Sequence, residues 1–125
     1  DDLHVWSKAL ATGDGILSAE YAQKRLASLN PTVEPNTPEK SYGMGFGRIN
    51  GWIGHTGELP GYNTTVYYNP ALQTSIVVMV NSDIPTASGE NPAPTVTTAL
   101  MQLVEGSSSS PSASASASAG ASTGS

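Results

Sequence analysis

Tyr42-Gly43-Met44-Gly45-Phe46-Gly47-Arg48-Ile49-Asn50-Gly51-Trp52-Ile53-Gly54-His55-Thr56-Gly57 is the stretch on which the fold turns. Tyr42, Met44, Phe46 and Arg48-Ile49 alternate with Gly43, Gly45 and Gly47, the period-two pattern of a strand. Glycine at every second position leaves one face flat, so something must pack closely against it. Asn50-Gly51 is a strong hairpin-turn signal, because both residue types tolerate the positive φ that such turns need. Trp52 to His55 then resumes as a strand. Gly57 to Gly61 reads as a Pro-containing loop, Asn63 to Tyr68 as an alternating strand, and Asn69-Pro70 as a turn. Ser75 to Val80 is a continuous, largely β-branched run, which predicts a central strand buried on both faces.

Helical patterns flank this block. Leu3, Val5, Trp6, Ala9 and Leu10 fall at near-helical spacing behind Asp1 and Asp2, which suit the positive end of the helix dipole. Gly13-Asp14-Gly15 stops that helix. Ser18 reads as the N-cap of a second helix, with Glu20 in its first turn. Its predicted apolar stripe is Tyr21, Leu26 and Leu29, with Lys24 and Arg25 facing out, and Asn30-Pro31 ends it. The prolines at 31, 35 and 38 mark a crossing loop. Thr95 to Glu105 is predicted as a closing helix with Val96, Leu100, Leu103 and Val104 on one face and Gly106 just past its end. The order is helix, helix, four antiparallel strands, helix. The fold class is α+β: an antiparallel β-sheet with flanking helices, the closing helix on one face and the opening helices either on the other face or in a neighbouring layer.

Composition bounds the function. Ser107 to Ser125 is almost wholly Ser, Ala, Gly and Thr. It has no large apolar side chain to offset ordering entropy, so a disordered tail is expected there, with residues 1–106 as the folded part. Ten acidic residues against five basic ones give a formal net charge of −5. The basic residues are scattered, which argues against nucleic acid or an anionic membrane as partner. No apolar run is long enough to span a membrane. With no cysteine, thiolate nucleophiles, disulfides and Cys-ligated zinc are excluded. The chain starts at Asp1 without a leader-like segment, and the expectation is a processed or excised segment whose true start lies upstream.

The chemistry-bearing segment is Trp52-Ile53-Gly54-His55-Thr56-Gly57-Glu58-Leu59-Pro60-Gly61. A strand ending in Lys-Thr-Gly is the third signature of serine β-lactamases and penicillin-binding proteins. His55-Thr56-Gly57 resembles the His-Thr-Gly variant found in DD-peptidases and related esterases of the class C type. Tyr42-Gly43-Met44-Gly45-Phe46 resembles the strand that leads into that motif, and Gly61-Tyr62-Asn63 resembles the family's segment just after it. The stretch from Asp2-Leu3 to Leu10, a Gly-rich turn and Leu17-Ser18 is similar to the family's segment upstream of it. The resemblance covers about residues 1–106. It implies the C-terminal part of a β-lactamase/transpeptidase-like fold and a serine hydrolase (β-lactamase, D-alanyl-D-alanine carboxypeptidase or esterase) acting through an acyl-serine. It implies a secreted, periplasmic or cell-envelope location.

The resemblance also implies roles. The backbone amide of Glu58 would donate to the oxyanion, a donor worth about 3 kcal/mol of transition-state stabilisation. Gly57 would let the substrate carbonyl approach. The Thr56 hydroxyl would meet the substrate's polar tail. His55, in place of the usual lysine, would orient the site, pointing into the cleft. Without the resemblance, Gly57 to Gly61 is an ordinary turn and His55 a strand residue. Trp52 reads as a core anchor rather than a stacking platform, His4 as a surface residue, and Asp14 as part of a helix-ending turn rather than a metal ligand.

Two matches fail on order. Tyr67-Tyr68-Asn69 fits Tyr-x-Asn and Asn81-Ser82-Asp83 is near Ser-Asp-Asn, yet both come after the third signature instead of preceding it. No Ser-x-x-Lys occurs in the chain, and serine without an activating base is a weak nucleophile. The implied partner is therefore an upstream part of the same polypeptide carrying Ser-x-x-Lys and Tyr-x-Asn. The implied substrate is a small molecule or a peptidoglycan-like one. No cofactor and no metal is implied. A non-catalytic cell-wall or partner-binding module, or a truncated inactive stub, is the competing reading. With His55 for Lys and Glu58 nearby, the motif leans toward neutral esters or amides over β-lactams.

Overall fold

The computed structural model describes residues 1–108. Its eight elements are, in order, α1 (Asp2–Thr12), α2 (Ala19–Ala27), β1 (Lys40–Tyr42), β2 (Gly47–Ile49), β3 (Trp52–Leu59), β4 (Tyr62–Asn69), β5 (Thr74–Val80) and α3 (Pro92–Ser108). The five strands form one antiparallel sheet in sequence order. The α+β expectation holds.

Each strand alternates its side chains between two faces, and each face has its own core. On one side Trp52, Tyr67, Ile76 and Val78 pack with Ala93 and Met101 of α3. On the other, Ile53 and Tyr68 pack with Ala11 of α1, Leu29 and Phe46. The closing helix covers one face and α1 the other, as the sequence suggests. Trp52 is a core anchor, 0% exposed, with its indole N–H donating to Glu105 Oε1 at 2.7 Å.

Local signals fare well where the residue type dictates the backbone. Gly13 closes α1 at φ 77°, and its N–H donates to the Ala9 carbonyl. The Ser18 hydroxyl accepts from the Tyr21 amide as an N-cap. Asn50 and Gly51 both have positive φ at the β2–β3 turn. The Asn69 side chain accepts from the Ala71 and Leu72 amides, so Tyr67-Tyr68-Asn69 ends a strand in an Asx-type turn.

Five expectations need correction. The predicted first strand is two short strands, β1 and β2, folded back at Gly43–Phe46, where the Gly43 N–H donates to the Phe46 carbonyl and Gly45 has φ 72°. Gly57–Leu59 belong to β3 rather than to a loop, and only Pro60-Gly61 turns the chain, with Gly61 at φ 82°. β5 is an edge strand among the described residues. Ile76 and Val78 are buried while Met79 is 70% exposed; a β-branched run reports strand propensity, not the number of neighbours. α3 starts at Pro92 and continues through Gly106 to Ser108, because proline is tolerated in a first turn and the Ser107 and Ser108 hydroxyls bond back to Leu103 and Val104. The rest of the expected tail lies outside the described residues. Finally, Arg25 turns inward: its guanidinium stacks 3.9 Å from the Phe46 ring centroid and donates to the Leu10 carbonyl, and burial lowers its pKa from the ordinary value. Tyr21 and Leu26, the expected stripe of α2, are exposed, and only Leu29 beyond the helix is buried.

Buried polar groups tie α3 to the sheet. Asn63, 1% exposed, accepts from the Ala93 amide at the helix start, and the Thr65 and Thr97 hydroxyls bond to each other. These pairings meet the demand that buried donors and acceptors be satisfied. They also hold β4, and through it β3, against α3.

Candidate active site on the β3 edge

β3 is paired on both sides only at its start. β2 reaches Trp52, Ile53 and Gly54, whereas β4 runs beside β3 from Ile53 to Leu59. From His55 to Leu59 the second edge of β3 has no strand among the described residues. The turn fixes which groups face that edge. Leu59 and Tyr62 close a two-residue hairpin and so form a hydrogen-bonded pair. Hydrogen-bonded pairs recur every second residue in an antiparallel ladder, so Gly57 and His55 also bond to β4. Thr56 and Glu58 then direct their N–H and C=O groups to the open edge. The contact from His55 Nδ1 to the Thr56 carbonyl fits this phase, as does the reach of Asn63 Nδ2 to the Gly57 carbonyl on the β4 side.

Beside this edge lies an open cleft of about 690 Å³, bordered by Tyr42, Gly47, Gly54, His55, Thr56 and Tyr67, with Lys40 among its other residues. Its floor runs along one row of the sheet, since Tyr42 pairs with Gly47, Gly47 with Gly54, and Gly54 with Tyr67. Two glycines stand between two tyrosines there; of the alternating glycines only Gly47 is in this row, since Gly43 and Gly45 lie in the turn between β1 and β2. A Cβ on Gly54 would collide with the backbone of Val66 and Tyr67, so the fold itself requires glycine there. Gly57 differs: a Cβ would meet only Thr64 Cβ, at 4.0 Å. Packing leaves position 57 open. Burial raises the Tyr67 phenol's pKa above its ordinary value.

His55 is exposed and lines the cleft together with Thr56. Its Nε2 lies 2.9 Å from the Tyr42 hydroxyl, with ring centroids 5.7 Å apart at 63°. Glu58 Oε2 accepts from Asn91 Nδ2 at 2.9 Å, which ties the end of β3 to the segment before α3. The motif residues His55, Thr56, Gly57 and Glu58 thus stand in a row on one strand with one open edge. Sequence reasoning missed Tyr42 as a neighbour of His55 and Lys40 as a cleft residue.

Away from the cleft, His4 bonds through Nδ1 to the Ser75 hydroxyl at 2.6 Å on the surface, and the Asp14 amide donates to Thr12 in the turn after α1. No group of three potential metal-ligating side chains occurs among the described residues, and no helix there is long and apolar enough to cross a membrane. No curated protein and no solved structure matches the chain. The beta-lactamase family model matches residues 1–106, nearly the whole described structure and every residue of the cleft. The chain belongs to the beta-lactamase family, whose members are serine hydrolases acting on small-molecule substrates.

Proposed function

We propose that this chain is the C-terminal part of an extracytoplasmic serine hydrolase that works through an acyl-serine on ester, amide or β-lactam substrates. The observation that carries this reading is the open edge of β3 from His55 to Leu59, beside a cleft that His55 and Thr56 line. In the proposed mechanism a serine activated by a nearby lysine attacks the substrate carbonyl. Both residues come from an upstream Ser-x-x-Lys, with Tyr-x-Asn beside it. The outward Glu58 N–H donates to the oxyanion, in a position set by the ladder rather than by a mobile side chain. Gly57 leaves room for the carbonyl, which agrees with the open space at its Cβ. Thr56 offers its hydroxyl to the substrate tail and His55 orients the cleft wall.

The exposed apolar residues Val5, Trp6, Ile16, Leu17 and Tyr21 on the opening helices and the turn between them favour further protein packed on that side. Lys40 among the cleft residues brings a positive charge to the same cleft, so the motif's lean toward neutral substrates weakens and a carboxylate-bearing substrate fits as well.

The chain as it stands is expected to be inert. It should not turn over nitrocefin or a p-nitrophenyl ester above the buffer rate, and a fluorescent penicillin should not label it. The reason is the missing Ser-x-x-Lys. Stoichiometric labelling of any of its own serines in a folded sample would overturn the placement of the nucleophile upstream. A longer chain that contains Ser-x-x-Lys yet never acylates would favour the binding-module reading instead.

A further inference from the structure

We propose that Tyr42 is a positioning residue for His55, fixing its imidazole as the Nδ1–H tautomer across the open edge of β3; this rests on the function proposed above. The geometry begins with the two glycines. Tyr42 ends β1, and the positions beside it on β2 and β3 are Gly47 and Gly54. With no side chains at those positions, nothing blocks the tyrosine ring beside the end of β2. A Cβ on Gly47 would stand 3.5 Å from Tyr42 Cδ2. β2 pairs with β3 only as far as Gly54, so past its end the hydroxyl meets His55 Nε2 at 2.9 Å.

The partners decide the tautomer. Nδ1 faces the Thr56 carbonyl oxygen, which has no proton to give. Nδ1 must therefore be the donor. A neutral imidazole has one N–H, so Nε2 is a bare acceptor and the Tyr42 hydroxyl donates to it. Two hydrogen bonds on opposite sides of the ring set its rotation as well as its proton. In this state neither ring nitrogen is free to take a proton from a third group. His55 then shapes the cleft wall instead of acting as a general base. The Tyr42 oxygen, whose lone pairs the bond to His55 does not use, is the polar atom of the pair available to the cleft. Tyr42 is 57% exposed, so its hydroxyl can be removed without opening the core.

The test is a long-range proton–nitrogen correlation spectrum of the ¹⁵N-labelled chain at a pH where the imidazoles are neutral. His4 serves as the reference in the same sample. In the wild type, His55 Nδ1 is expected at the shift of a protonated nitrogen and Nε2 at that of an unprotonated, hydrogen-bonded one. In Tyr42→Phe, Nε2 should move toward the unbonded value and the two shifts should begin to average, while His4 stays still and the amide spectrum stays dispersed. A protonated Nε2 in the wild type, or His55 shifts unchanged in Tyr42→Phe, would overturn the pairing.

In the complete enzyme Tyr42→Phe should lower kcat/KM about tenfold through kcat, the effect of one neutral hydrogen bond. A changed spectrum with unchanged kinetics would overturn the positioning role. Failure of the underlying function shows itself separately, as a wild-type enzyme that never acylates.

Discussion

Trp52→Ala is expected to destabilise the chain by about 3–5 kcal/mol, the range for truncating a large buried aromatic. Trp52 is 0% exposed and sits among Tyr67, Ile76, Val78, Ala93 and Met101, the cluster that joins α3 to the sheet. Few atoms can collapse into the space left behind, because the opposite wall is the β4–β5 ladder. The lost hydrogen bond to Glu105 adds little, since Glu105 is exposed and regains water. A domain of this size has about 5–15 kcal/mol in total, so the loss is a large fraction of the stability. Urea unfolding of wild type, Trp52→Ala and Trp52→Phe gives the ranking, with Phe intermediate. A loss under about 1 kcal/mol for Ala, within the range of surface changes, would mean that α3 does not depend on this anchor. The consequence reaches the site, because Trp52 is the first residue of β3 and its burial sets which residues of that strand face outward.

His55→Ala, in a protein that includes the upstream segment, is expected to lower kcat/KM by about ten- to a thousand-fold, the range for a supporting group rather than a nucleophile. The ring borders the cleft, bonds Tyr42 and caps the Thr56 carbonyl on the open edge. Its removal frees both partners and loosens the strand that presents the Glu58 amide. His55→Lys should retain more activity and shift preference toward carboxylate-bearing substrates, because lysine is a permanent cation at neutral pH whereas histidine is not. The measurement is kcat/KM for matched neutral and carboxylate substrates across wild type, Ala and Lys. Equal values in all three would reduce His55 to a strand residue and leave the Glu58 amide as the strand's contribution.

What could be read from sequence was what single residues dictate locally. Asn50-Gly51, Gly13, Ser18 and Pro60-Gly61 each force or favour one backbone shape, and each lies at a turn or helix end in the structure. The candidate residues His55 to Glu58 stood out because their order resembles a family signature, and the open edge on which they lie is a consequence of where β2 stops. The misses were long-range. Whether Ser75 to Val80 has one neighbour or two depends on chain that the run itself does not encode. Arg25 lies inward because Phe46 offers an aromatic face and the Leu10 and Met44 carbonyls offer acceptors, all on other elements. The Tyr42–His55 bond needs β1, β2 and β3 in register, with glycines at both intervening positions. Helical periodicity began α3 at Thr95 because the prolines at 92 and 94 read as loop, although a first helical turn accepts both.

The most direct measurement joins this chain to its upstream coding sequence and locates the acyl group. The longer protein and the 125-residue chain are each incubated with a fluorescent penicillin and an activated ester, digested, and mapped by mass spectrometry. The expected result is one covalent adduct per molecule on the serine of an upstream Ser-x-x-Lys, lost in its Ser→Ala variant, with none within residues 1–125. An adduct on a serine of this chain, or no adduct on a folded longer protein that carries Ser-x-x-Lys, would contradict the assignment of the β3 edge as the oxyanion-binding wall of an acyl-serine hydrolase.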